Sequence, residues 1–292
     1  MSMPEWKIKE LEHLEKMWAG KRRSGLSHSR TMWNGIADEW GKELAEDPVR
    51  QLRSRKRVEK TAEYLILCGA LTSESKVLDI GCGPGRFVAE FAKTAKHASG
   101  LDLSDRMAEL GLEYCHEQGL NNVSFYAEDF KTLDPAEAGL AGRFDLVFTS
   151  ITPAVGSREG FWKALDLSKR WFFNAAFIHI GDSLLEKLDA VLGTNSSDPK
   201  NSEGFYAMFN EMLLRNYYPH IEYYTEEDIE IYDPETALEK YAAVIFSGGE
   251  NAKQLSGLRD ALDAMKDADG RIRTKKQWVY GWMLVDKDKI SN

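Results

Sequence analysis

The chain has 292 residues, 43% of them hydrophobic, enough to bury a core and to exclude a disordered chain. That length exceeds the commonest single-domain size and predicts one enlarged domain or a domain with a lid. A formal net charge of -9 and a pI of about 5.3 argue against general attraction to nucleic-acid phosphates, which begins from clustered positive charge.

In chain order, residues 5 to 20 read as a polar helix with Ile8, Leu11, Leu14 and Trp18 at helical spacing. A break containing Gly and Ser follows, then RTMWNGIADEWGKEL, whose Trp33, Ile36 and Trp40 share one side of a second helix. A third helix is expected from Val49 to Cys68, with Val58, Ala62, Leu65 and Ile66 on one face and Gly69 at its end. It carries the basic run Arg50 to Lys60, read as a solvated helix face or, alternatively, as a local contact for RNA. At Lys76 the pattern changes. Lys76 to Ile80 is a short apolar run ending in a glycine cluster, as a buried parallel strand does. Strands at His97 to Leu103, Val123 to Tyr126, Phe144 to Thr149 and Trp171 to Ile180 then alternate with helices at Arg86 to Ala95, Asp105 to Gln118 and Arg158 to Ser168. Met107, Leu110 and Tyr114 are expected on the buried face of the second of these helices, which Ser104 caps.

After Asp182 the alternation stops. A polar loop, Gly193 to Gly204, precedes an aromatic helix, Phe205 to Tyr218, and Ile221 to Tyr232 suits a strand or a hairpin. Helices at Pro234 to Phe246 and Asn251 to Met265 lead to a last strand, Gln277 to Val285. The expected fold is α/β, a doubly wound, mostly parallel sheet covered on both faces. The expected divisions are an N-terminal helical cap (1–70), the α/β core (71–185), a helical and aromatic insertion (186–274) and a strand returning to the sheet (275–292).

The chemistry concentrates in Val77-Leu78-Asp79-Ile80-Gly81-Cys82-Gly83-Pro84-Gly85, a strand feeding a glycine turn that opens a helix. Ligands of open α/β sheets lie at such strand ends. A dinucleotide turn reads GxGxxG and seats a pyrophosphate on the helix N-terminus. Here the turn is GxGxG and Asp79 precedes it, an acid that a pyrophosphate avoids and that an ammonium or sulfonium group seeks. Asp102 ends the second strand, where an acid accepts from ribose hydroxyls. Met107 follows on the first helical turn, able to lie against a flat base, and Asp129 is able to accept from an exocyclic amine.

Together VLDIGCGPGRF, GLDLSDRM, AEDF and FDLVFTS resemble motifs I to IV of the class I (Rossmann-like) S-adenosylmethionine-dependent methyltransferases, over about residues 76 to 150. The resemblance implies S-adenosyl-L-methionine as cofactor and S-adenosyl-L-homocysteine as product. It places Asp79, Gly81, Gly83 and Gly85 on the methionine side, Asp102 at the ribose, and Met107, Asp129 and Phe130 about the adenine, with Cys82 and Leu103 also among the cofactor-binding residues. It puts Thr149 and Ser150 at the mouth beside the methyl group. Trp33 and Trp40 either shield the sulfonium or pack on the core. His179 is a candidate general base or a structural histidine.

The segment after the fourth strand, SITPAVGSREG, lacks (D/N)PPY and holds only Thr152-Pro153 as a partial echo of it. Phe205, Tyr206, Phe209 and Tyr217 are candidates for an apolar substrate cover, or for ordinary packing or a dimer interface. The acids Glu226, Glu227, Asp228 and Glu230 suit a cationic substrate or a solvated loop. Six histidines and three cysteines (Cys68, Cys82, Cys115), none at paired ligand spacing, argue against a metal, and the odd cysteine count fits reduced thiols. No signal core and no apolar run of membrane-spanning length are visible, so a cytoplasmic protein is expected. The reading is methyl transfer to a small-molecule acceptor. The rivals are an RNA or protein methyltransferase, a non-catalytic binder of the same cofactor and, against the glycine spacing, an NAD oxidoreductase.

Overall fold

The structure, a computed structural model, describes residues 4–19, 29–37, 48–197, 202–246, 249 and 251–289. Three helices come first: α1 (Glu5–Ala19), α2 (30–37) and α3 (Pro48–Leu67). The alternating part follows as β1 (Lys76–Ile80), α4 (Arg86–Ala92), β2 (His97–Asp102), α5 (Asp105–Glu117), β3 (Val123–Ala127), β4 (Phe144–Ser150), α6 (Arg158–Leu167) and β5 (Ser168–Asp182). The remainder is α7 (Ser183–Leu192), α8 (Ser202–Leu214), β6 (His220–Tyr232), α9 (Pro234–Phe246), α10 (Ala252–Asp263) and β7 (Ile272–Asp286). The strands form one sheet in the order β3-β2-β1-β4-β5-β7-β6. Pairings β1 with β2, β1 with β4, β2 with β3 and β4 with β5 are all parallel. As numbers rise along β5, through Arg170, Phe177 and Gly181, the facing residues of β7 fall, through Asp286, Tyr280 and Gln277, so β7 runs antiparallel to β5. Helices cover both faces, and the expected doubly wound, mostly parallel sheet is what the chain forms.

Two compact units make up the chain: Met1–Ala176 with Tyr206–Glu222 and Trp282–Asn292, and Phe177–Phe205 with Tyr223–Gly281. In the first unit β1 is buried from Val77 to Ile80, as a central parallel strand must be. Its core includes an aromatic run in which Phe148 stacks on Phe173 at 4.8 Å, with Phe87 at 4.7 Å and Phe91 edge-on at 4.9 Å to Phe148. On α3 the buried face is Val58, Thr61, Ala62 and Leu65, while Ile66, expected inward, is 44% exposed.

Helix α5 also differs from expectation. Tyr114 is exposed and Gly111 and Cys115 are buried, a rotation that brings Gly111 over the ring of Phe125. A Cβ at Gly111 would lie 2.4 Å from that ring, at Gly85 2.8 Å and at Gly100 2.8 Å. Three glycines therefore make one slot for Phe125, and they set how closely α4 and α5 approach the sheet.

In the second unit Leu184, Leu188, Leu238, Tyr241, Leu258, Leu262 and Ile272 form a core from α7, α9, α10 and β7. Asp182 organises it. Its carboxylate caps α7 at Leu184 N (3.1 Å) and Leu185 N (3.2 Å), accepts from Tyr241 Oη at 2.8 Å and from Thr274 Oγ1, and pairs with Lys276. Burial works to raise its pKa, but the bonds from Lys276, Thr274 and Tyr241 and the Lys276 charge overcome that and hold it below the usual range. The sequence reading missed α7, began the last strand five residues late and left a hairpin open where β6 is one strand.

Helix α8 is fastened to α6 inside the first unit by Glu211, only 1% exposed. It accepts from Arg158 Nη2 at 2.7 Å and Nε at 3.0 Å, from Arg215 Nε at 2.9 Å and from Trp162 Nε1 at 3.0 Å. Removing a buried member of such a group strands its partners. Glu211→Ala is expected to destabilise the fold by about 3 kcal/mol, read as a lower urea midpoint at unchanged slope. A midpoint equal to that of the parent would show that the arginines are satisfied by water and that the group does not hold α8.

Candidate functional site

After Ile80 the chain turns sharply. Gly81 N and Cys82 N both donate to Leu101 O, at 2.7 and 3.2 Å, which ties the turn to β2. Gly81, Gly83 and Gly85 have φ of 73°, 51° and 72°, the left-handed region that glycine enters without a Cβ clash. Each glycine has a different neighbour. A Cβ on Gly81 would fall 2.0 Å from Thr152 Oγ1. One on Gly85 would strike Gly111 and Phe125, so Gly85, expected beside the cofactor, serves helix packing. One on Gly83 meets nothing within 4 Å, and the open space of the turn lies there.

Asp79 sits beneath this turn, 2% exposed. Its Oδ2 has no hydrogen-bond partner among the described residues. Burial, then the charge of Asp102, pushes its pKa well above the ordinary carboxylate range. Asp102 ends the adjacent strand; its Oδ2 accepts from Gly83 N and its Oδ1 from Ser104 N, both at 2.9 Å. Burial raises its pKa too, opposed by backbone bonds from Ser104, Gly83 and Leu103. A buried acid with a bare oxygen and a half-buried acid next to it, beside open space, are a cradle deficient in positive charge. An ammonium or sulfonium group fits that cradle and a pyrophosphate does not. Cys82 contributes backbone alone: its thiol is turned inward, where a Cβ on Gly100 would lie 2.7 Å away. Burial and the charges of Asp79 and Asp102 push that thiol well above its usual range, away from nucleophilic use.

The loops after β2 and β3 complete the rim. Ser104 caps α5, accepting from Met107 N at 3.1 Å and donating to Asn34 Oδ1 of α2 at 2.6 Å. Arg30, also on α2, pairs with Asp105 and donates to Ala127 O at 3.3 Å. Leu103 is half-buried, Met107 is 2% exposed and Phe130 is 2% exposed. Asp129 accepts from Lys131 N at 2.9 Å and anchors the turn that follows. Lys163 lies over the Phe130 ring at 4.7 Å and donates to Phe130 O at 2.6 Å and to Leu133 O.

Several expectations change. Thr149 was expected at the mouth, but its side chain is wholly buried and its Oγ1 donates to Asn174 Oδ1 at 2.9 Å and Phe173 O at 3.1 Å. The rim after β4 is instead made by Ile151 and Thr152. Ile151 has φ 52°, strained for a β-branched residue, and donates to Ala175 O at 3.0 Å. Thr152 caps the short turn Pro153–Val155 and closes on Gly81. The Thr-Pro pair was the available signal for that cap; nothing in the sequence signalled Ile151. Phe205, a cover candidate, is buried in its own unit, where a Cβ on Gly281 would lie 2.5 Å from its ring. Tyr206 is 52% exposed, Phe209 half-buried, and Tyr217 packs on Trp162 at 5.5 Å. His179 is a half-buried residue of β5 in the second unit, close to Gly181. Trp33 is half-buried on α2, and Trp40 lies outside the described residues.

The raised pKa of Asp79 has a direct consequence for stability. The protonated acid binds its proton more tightly in the fold than in the unfolded chain, so its contribution is full at low pH and lost as pH rises through the folded value. Asp79→Asn should therefore raise the melting temperature of the unliganded protein at pH 8 and leave it little changed at pH 4, while weakening S-adenosylmethionine binding. A variant that melts lower than the parent at pH 8 would show that Asp79 is not a strained acid.

Residues 77–170 match the model of a family described as a methyltransferase domain. Among curated proteins, the 23S rRNA (uracil(1939)-C(5))-methyltransferase of Vibrio campbellii is 30% identical over 136 residues, 38% of this chain and 30% of that protein. The human EEF1A lysine methyltransferase 2 is 31% identical over 108 residues, 34% of this chain and 46% of that protein. The chain thus spans less than half the length of these relatives. Among solved structures, magnesium protoporphyrin IX methyltransferase from Synechocystis with bound S-adenosylhomocysteine aligns over 86% of this chain and 96% of that one, at 13% identity and a TM-score of 0.49. Over residues 77–170 the chain is thus similar to methyltransferase domains.

Proposed function

We propose that the chain transfers a methyl group from S-adenosylmethionine to a small-molecule acceptor. The observation that carries the cofactor assignment is the bare Oδ2 of buried Asp79 beside Asp102 and the open space at Gly83. In this reading Asp79 and the turn Gly81–Gly83 hold the amino-acid end. Asp102 accepts from the ribose, and the turn after Asp129 receives the adenine. Bound there, the cofactor supplies a methyl group on a sulfonium, which leaves by in-line displacement. The protein's own part is to align the acceptor and exclude water, and alignment alone is worth roughly 7 to 11 kcal/mol. Helix α2 supports the enclosing role, since Arg30 and Asn34 fasten it to the loops after β2 and β3. A general base is needed only where the acceptor arrives protonated, and His179 is the candidate its residue type offers.

The small-molecule reading draws support from the net charge of -9. The rRNA and lysine methyltransferases among the relatives favour a second reading, an RNA or protein acceptor. Incubation with isotopically methyl-labelled S-adenosylmethionine distinguishes them when a host extract is split into metabolite, RNA and protein fractions. Label is expected in the metabolite fraction; label in RNA or protein instead would replace the small-molecule assignment. S-adenosylhomocysteine is expected to raise the melting temperature and NADH to leave it unchanged, and the opposite pattern removes the cofactor assignment.

A further inference from the structure

We infer that Lys163 and Arg30 are positioning residues for the adenine end of the cofactor, acting through the 127–133 turn. The inference rests on the S-adenosylmethionine reading above. The turn joins β3 to the following loop and carries Asp129, the acid placed to accept from an exocyclic amine. Within the turn, the carbonyl of Asp129 takes Thr132 N at 3.1 Å and Leu133 N at 2.9 Å. The carbonyls of Ala127, Phe130 and Leu133 look elsewhere, and each is met by a cation from a distant helix. Arg30 of α2 donates to Ala127 O, while Lys163 of α6 donates to Phe130 O and Leu133 O. The Lys163 ammonium also lies over the Phe130 ring, so one side chain fixes both the backbone and the ring of that residue.

The Lys163 contacts are of the strong kind, because a charged donor meets neutral acceptors at short range in a partly buried place, and the longer Arg30 contact at 3.3 Å adds to them. The groups whose charge acts on Lys163 are Asp129 and Asp134, both favouring its charged form against the cost of burial. Arg30 is paired to Asp105, on the first turn of the helix that follows the ribose-side loop. The same guanidinium therefore spans the loops after β2 and β3, and the two cations brace the turn from α2 and from α6. A shift of about 1 Å in such a turn is enough to misplace a recognising group. The consequence is selectivity for a purine bearing an amino group, because that is what Asp129 reads when the turn is held.

The test compares binding of S-adenosylhomocysteine and S-inosylhomocysteine by calorimetry in the full chain. The two ligands differ at one edge of the purine, where the adenine amine becomes a carbonyl and the adjacent N1 gains a proton. The parent is expected to prefer the adenosyl ligand. Lys163→Met should raise the Kd of S-adenosylhomocysteine about tenfold while changing that of the inosyl ligand little, so that the preference collapses; Lys163→Arg should restore most of it. Arg30→Gln carries the same expectation and serves if Lys163→Met does not fold. An unchanged preference, or equal weakening of both ligands, overturns the positioning role. A parent that binds neither ligand sinks the S-adenosylmethionine reading itself, which is a separate result.

Discussion

The constraint on which the site depends is the placing of one buried and one half-buried carboxylate at the ends of adjacent parallel strands. A central strand covered on both faces normally has only apolar side chains, because a charge placed there loses its hydration. Asp79 breaks that rule beside Asp102, and nothing among the described residues answers Asp79 Oδ2. The cost to the fold is the condition for binding: an acid satisfied from within would have nothing left for a ligand. Asp182, at the end of another strand, is the contrast. It has a lysine, a threonine, a tyrosine and a helix N-terminus on its oxygens, and it holds a fold together. Two buried acids thus take opposite shifts: the one with a bare oxygen is raised and the fully bonded one is lowered.

The loops around the turn are held by partners far away in the chain. Thr152 presses on Gly81, Asn34 takes the Ser104 hydroxyl, and Lys163 and Arg30 take the carbonyls after β3. Helix α8 joins this half of the molecule through Glu211 and Arg158, although the two residues are 53 positions apart in the chain. The sheet supplies the strand ends, and these cross-connections supply the rigidity a site on loops otherwise lacks.

Most of the strands and the glycine turn were legible in the sequence because their signals are local. Val77 to Ile80 is a run followed by glycines; Ser104 precedes a helix it caps; Asp102 follows at a readable distance. What escaped reading depends on contacts between distant residues. Thr149 looks like a mouth residue at the end of its strand, and only the neighbouring Asn174 shows that its hydroxyl points into the sheet. Tyr114 fits the apolar stripe of α5, yet the helix is rotated because Phe125 needs the space over Gly111. Helix α7 was missed because its start is defined by Asp182, where the alternation of strands and helices was read as stopping. Phe205 is aromatic, as a substrate cover would be, but Gly281 leaves it a packing place.

The slot around Phe125 constrains how this sequence is able to vary. Three positions far apart in the chain, Gly85, Gly100 and Gly111, are empty of side chain for the benefit of one ring. None of the three tolerates a methyl group while the ring stays, and a smaller residue in place of the ring would leave a void bounded by all of them. Drift at this point must be concerted: the ring has to shrink before Gly111 is able to grow, and Gly85 and Gly100 are held besides by the Gly111 backbone and the Cys82 sulfur.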